Sequence, residues 1–259
     1  MYEILRFLFL MSLVLLQDCQ HKATIEQLPT SNKQINLTKA ADYNLQMGLG
    51  YLKQGDRPRA KKKLLTALTQ APNSADANAA MAYFFEQTAD MDNAKKHYLK
   101  AISLSNTAKS AVGAQYNNYG TFLCRQGDYK KAEIYFLKAV KDVQYVNTAG
   151  AYENAGLCSL AMPDENKAKF YFTQALEQDP SRNESLFELV KLLSKEGHDP
   201  EALKLLQKNP ELVLNDRVFL SFAKEIANKT GDVKLAEEYG NTLAMINSGA
   251  NNEYNNSIG

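Results

Sequence analysis

The feature that most constrains this chain is a recurrence: slid along itself by about 34 residues, the sequence brings small residues onto small ones and large apolar ones onto large. A first unit, Ala41 to Ser74, carries Gly48, Tyr51, Gly55, Ala60, Leu64, Ala67 and Pro72. A second, from Ala75, returns Ala82, Phe85, Ala94, Tyr98 and Ala101 at the same offsets. A third, from Gly113, has Gly120, Leu123, Gly127, Ala132, Phe136 and Ala139; a fourth, from Ala149, has Gly156, Ala168, Phe172, Ala175 and Pro180. Each unit is long enough for two helices and too small to bury its own apolar face, so the units must stack.

This order of small, aromatic, turn and terminating residues resembles the tetratricopeptide repeat. In such a unit the small residues let helix A and helix B approach closely, and the aromatic of helix B fills the space between them and the next helix A. Gly55 and Gly127 fall where the chain reverses, and Pro163 stands in the same turn of the fourth unit. Pro72 and Pro180 end helix B because proline lacks an amide donor. Beyond Ser181 the pattern loosens. Leu186, Leu189, Leu193, Gly197, Ala202 and Leu206 still read as a helical hairpin, with Asn209-Pro210 in place of the late small residue. A last pair, about Asn215 to Lys229 and Asp232 to Met245, is split by Thr230-Gly231 and reads as a cap. The expected fold is an all-α, right-handed superhelical solenoid of about six tetratricopeptide repeats over residues 39–246, with a disordered tail at 247–259.

Of 259 residues, 45% are hydrophobic, which is enough for a substantial core. Lys plus Arg number 30 against 29 for Asp plus Glu; a net charge of +1 gives no bulk attraction to nucleic acid or to an anionic membrane, so a partner must be recognised locally. The apolar run Phe7 to Leu16 is too short to span a bilayer, which takes about 20 residues, and fits the core of a secretory signal. Residues 1–18 are therefore read as a signal peptide; the alternative is an N-terminal helix buried against the repeats. Leu16-Gln17-Asp18-Cys19-Gln20 resembles a bacterial lipobox, which implies lipidation of Cys19, and Gln20 resembles the outer-membrane sorting type. Asp18 departs from the small residue usual before the cysteine, and an unlipidated Cys19 is the alternative. Residues 19–38, a polar stretch containing Thr and Asn, read as a tether that leaves the repeats on the periplasmic face of the outer membrane, held by a lipid anchor.

No catalytic grouping emerges. His21, His97 and His198 are isolated, no glycine-rich phosphate loop follows a strand, and no zinc spacing occurs, so the chain is read as a scaffold with no enzyme activity, cofactor, metal or small-molecule substrate. Export would leave Cys124 and Cys158 as a pair, on helix A of the third and fourth repeats. Adjacent A helices about 8 to 10 Å apart can bring facing cysteines within disulfide reach; two small buried thiols are the alternative. Met47, Tyr51, Phe84 and Phe85 stand at helical spacing and read as core.

Tyr116-Asn117-Asn118-Tyr119-Gly120-Thr121-Phe122-Leu123-Cys124 resembles the Asn-Asn-Tyr-Gly-x-Phe-Leu-Cys stretch of the type IV pilus biogenesis and stability lipoproteins, the PilW/PilF family. The likeness continues through Gly127-Asp128-Tyr129 and Tyr152-Glu153-Asn154-Ala155-Gly156-Leu157-Cys158, and broadly over Ala41 to Pro180. It implies an outer-membrane lipoprotein of six repeats that acts as a pilotin, aiding localisation or multimerisation of the pilus secretin by protein–protein binding; some members serve fibre stability and adhesion instead. A general periplasmic adaptor, for example for cell-wall enzymes, shares every feature except the central stretch. A cytoplasmic co-chaperone would need several Lys, Arg and Asn on its groove, and this groove is less basic. Helix A lines the concave surface of such an array, so the candidate binding residues are Tyr83 and Glu86, then Asn117, Asn118, Thr121 and Arg125, then Glu153 and Leu157. Asparagine is a mediocre helix former, and a side-chain amide can clamp the backbone of an extended peptide; a bond to a neighbouring carbonyl between helices is the alternative use.

Overall fold

The structure, a computed structural model, describes residues 30–108 and 110–256. The signal segment, Cys19 and the first part of the tether lie outside the described residues. Those residues form thirteen helices and no strand. Ten pair into hairpins: α1 (Thr30–Lys53) with α2 (Arg57–Gln70), α3 (Ala75–Gln87) with α4 (Met91–Ala108), α5 (Gly113–Arg125) with α6 (Tyr129–Lys141), α7 (Thr148–Ala161) with α8 (Glu165–Gln178), and α9 (Asn183–Lys195) with α10 (Asp199–Lys208). A short helix, α11 (Pro210–Leu214), precedes the last hairpin of α12 (Arg217–Lys229) and α13 (Val233–Asn256). Pro210, which with Asn209 stands in place of the late small residue, opens α11, since a first-turn residue needs no intrahelical donor. The odd-numbered helices α1 to α9 pack one on the next and form one layer; the even-numbered ones form the other.

One row of residues explains why the layers meet. Ala60, Ala94, Ala132, Ala168, Ala202 and Ala236 stand at the same place in helix B of successive hairpins and all are buried. Opposite, a Cβ added to Gly120 would lie 2.8 Å from the Phe136 ring, and one added to Gly156 would lie 2.6 Å from that of Phe172. The missing side chains make room for aromatics whose burial contributes roughly 1.5–3 kcal/mol each.

Every turn within a hairpin uses one device. The chain leaves helix A through a residue at positive φ: Gly55, Ala89, Gly127, Pro163, Gly197 or Gly231. The following amide then reaches back to the last turn of helix A, as in Asp56 N to the Tyr51 carbonyl and Asp128 N to the Leu123 carbonyl, both 2.9 Å. In five of the six turns that residue is an aspartate, and the carboxylates of Asp56, Asp164 and Asp232 cap helix B by accepting from the amides of Arg59, Lys167 and Leu235.

The spacing lengthens between Ala94 and Ala168, where the two inter-repeat loops interlock. Asp142 accepts from the amides of Val112 and Gly113, each at 2.7 Å, capping α5 from the far end of α6. Burial alone would push its carboxyl up, but these donors and the Gln144 amide hold it below the usual carboxylate range. Tyr145 from the same loop lies against Gly113.

Three sequence expectations need correction. The tether was expected to reach residue 38, but α1 already begins at Thr30; the tail was expected to be disordered from 247, but α13 runs to Asn256. A packed helix extends cheaply, since each further residue fixes one pair of dihedrals and adds one hydrogen bond, so polar composition alone does not end it. Met47, expected in the core, is 44% exposed, whereas Phe84 is buried and Tyr51 and Phe85 half-buried. Its equivalent in the second repeat, Met81, is covered by α2; no described repeat precedes α1 to cover Met47.

Candidate functional site

Because the repeat is nearly regular, equivalent side chains of the A helices stack into rows across the concave layer. One row reads Leu45, Ala79 and Asn117; a second reads Gln46, Ala80, Asn118 and Asn154; a third reads Leu49, Tyr83 and Thr121. With Asp42, Asp76, Tyr98 and Arg125 they line a groove of about 710 Å³ running over α1, α3, α5 and α7. Its first half is apolar and acidic. Its second half is a cluster of side-chain amides.

Of the residues expected to bind, Tyr83, Asn117, Asn118, Thr121 and Arg125 line this groove. The adjacent asparagines are placed differently from each other. Asn117 Oδ1 accepts from Asn154 Nδ2 at 3.0 Å, linking α5 to α7, while Asn118 stands exposed. Thr121 Oγ1 donates to the Asn117 carbonyl at 2.9 Å.

Glu86 and Glu153 are placed differently from the sequence reading. Glu86 is only 8% exposed and lies beneath the groove. Its carboxylate accepts from Arg125 Nε, from Arg125 Nη2 at 2.8 Å and from the Tyr98 hydroxyl at 3.0 Å. A buried carboxylate needs such donors, and in taking them it fixes the Arg125 fork in the groove wall. Burial, and then the Glu86 charge, pushes the Tyr98 phenol well up, so its hydroxyl stays a donor. Glu153 turns toward the fifth repeat, where Oε2 accepts from Ser185 Oγ at 2.8 Å and Oε1 lies 3.4 Å from Arg182 Nη1. It ties α7 to α9. Leu157 is 38% exposed but lies outside the groove lining.

The sequence reading missed Asp42, Gln46, Asp76, Asn154 and the hydroxyl of Tyr98. The signal was the row itself: sliding Asn118 by one unit lands on Asn154 one way and, by two units, on Gln46 the other. Asp42 and Asp76 likewise hold equivalent places in the first two repeats. Tyr98 fills the interhelical gap as expected of a helix B aromatic and also contributes to the groove lining.

Behind this wall, Cys124 and Cys158 are joined by a disulfide, with Cα atoms 5.8 Å apart, that staples α5 to α7. Among the described residues, no three His, Cys, Asp or Glu converge to hold a metal, and no helix is long and apolar enough to cross a membrane.

The tetratricopeptide repeat profile matches residues 45–111, and a second profile of that repeat matches 116–141 and 149–182. The chain is 37% identical over 158 residues, 61% of its length, to the type IV pilus assembly protein PilF of Pseudomonas aeruginosa, and the match spans 61% of that protein. Among solved structures, one from the functional characterisation of Pseudomonas aeruginosa PilF superposes with a TM-score of 0.64 at 31% identity, covering 82% of this chain and 93% of that one. The crystal structure of PilW, described as a widely conserved type IV pilus biogenesis factor, gives 0.60 at 24% identity, covering 78% and 91%. At that identity, the likeness to PilW speaks for the fold.

Proposed function

Because this chain belongs to the tetratricopeptide-repeat family that includes PilF of Pseudomonas aeruginosa, we propose that it serves type IV pilus biogenesis by holding a segment of another protein in its concave groove. The partner in this reading is the pilus secretin, whose localisation or multimerisation the chain aids from the periplasmic face of the outer membrane. The observation that carries the binding role is the groove itself: rows of amide and aromatic side chains, contributed by four successive A helices, offer donors and acceptors to an extended backbone. The resemblance of Asn117 to Cys124 to the pilus lipoproteins supports the pilus as its setting.

Deletion of the gene in the native host is expected to leave secretin monomeric and pili sparse. Normal secretin rings with normal piliation would sink the proposal. The anchor in this reading is a lipid on Cys19, tested by mass spectrometry of protein purified from host membranes. A diacylated or triacylated Cys19 at the N-terminus is the expected result, and an intact Met1 would remove the protein from the outer membrane.

A further inference from the structure

The charge of the groove is one-sided. Two carboxylates, Asp42 and Asp76, line its α1–α3 end, and no ion pair among the described residues engages either. The one cation in the lining, Arg125, already faces the buried Glu86. Asp76 is held in place by Gln115, a 3% exposed residue of α5 that donates to its Oδ1 at 2.7 Å. The Oε1 of that same amide is buried without a hydrogen-bond partner among the described residues. Beside the carboxylates the lining is Leu45, Leu49 and Ala79; past Tyr83 it turns to asparagine.

Resting on the reading of this groove as the binding site for a protein segment, we propose that it selects an extended segment carrying a lysine or arginine, seated between Asp42 and Asp76. The aliphatic stem of such a side chain packs on Leu45 and Leu49 while its charged head meets the carboxylates. The backbone on the Asn118 side is then clamped by amides. An acidic segment meets Asp42 and Asp76 as like charges and finds Arg125 already compensated, so it is refused.

The test is a random decapeptide library of free peptides selected on the full chain, with the same selection on an Asp42→Asn/Asp76→Asn variant and on Asn118→Ala. Peptides enriched on the unaltered chain should carry one Lys or Arg at a fixed position, and their affinity should fall about tenfold in the double Asp variant and weaken with salt. Asn118→Ala should weaken all selected peptides alike. Selected peptides that are acidic, or whose affinity ignores the Asp substitutions while still responding to Asn118→Ala, would overturn the charge selection and leave the groove as a binding site. Enrichment of none, or of peptides indifferent to all three substitutions, would remove the groove itself and the inference with it. A basic consensus absent from the host secretin would keep the inference and overturn the secretin as partner.

Discussion

Ala89 shows how much a single position in this chain is asked to do. It takes the left-handed turn conformation, φ 61°, that Gly55, Gly127, Gly197 and Gly231 take in other hairpins. An L-residue there costs roughly 1–2 kcal/mol, partly offset by the greater unfolded-state freedom that glycine would bring. Ala89 is exposed, so its methyl loses no packing when removed. Ala89→Gly is therefore expected to stabilise the fold by about 0.5–1 kcal/mol, read as a higher urea midpoint at unchanged slope; a lower midpoint would contradict it. Glu86 teaches the opposite lesson about legibility. Its row reads Leu52, Glu86, Cys124 and Leu160, an apolar series that already marked the place as interior, whereas its charge suggested the surface. What resolves the conflict is Arg125, 39 residues away, and a partner that distant is invisible until the helices are stacked.

At the scale of helices and hairpins, most of the structure was written locally. A residue able to take positive φ ends one helix, so Gly55 and Gly127 placed the turns from sequence alone; the aspartate that follows caps the next helix at Asp56 and makes no such cap at Asp128. The ends of α1 and α13 were not legible, because no cap residue marks a boundary that depends on how far a docked helix continues to propagate. The lengthened loops before α5 and α7 were equally silent; Asp142 reveals its use only when it meets the amides of Val112 and Gly113. Between α5 and α7 the covalent staple adds to packing. Closing a loop whose ends are 34 residues apart restricts the unfolded chain, so reduction of Cys124–Cys158 is expected to cost about 2–4 kcal/mol. Denaturant midpoints measured with and without a thiol reductant check this, and coincident curves would show that the bridge contributes nothing.

Over the whole molecule, stability and surface both follow from the array having two ends. Tyr43, 73% exposed, holds the place that Ala77, Gln115, Ala151 and Ser185 hold in the following repeats, all of them buried. Nothing in the first repeat's own sequence distinguishes it as first, which is why Met47 read as core. The other end is marked. Where earlier hairpins set a small residue against a large one, the last sets Lys224 against Gly240, with the lysine Cε 3.4 Å from where a glycine Cβ would be. The exposed lysine lays its Cε and, closer still at 3.2 Å, its ammonium over the glycine, so this end of the stack meets water. Such an array is also a string of units in series, and a load applied along it is borne by each in turn. The disulfide changes what that string can yield. With Cys124 fixed to Cys158, the intervening chain is withheld from extension, shortening the length the protein can release under tension by about 110–120 Å at 3.3–3.6 Å per residue. Under load the segment from Cys124 to Cys158, which includes the whole of α6, thus stays looped while the repeats outside it can be drawn out.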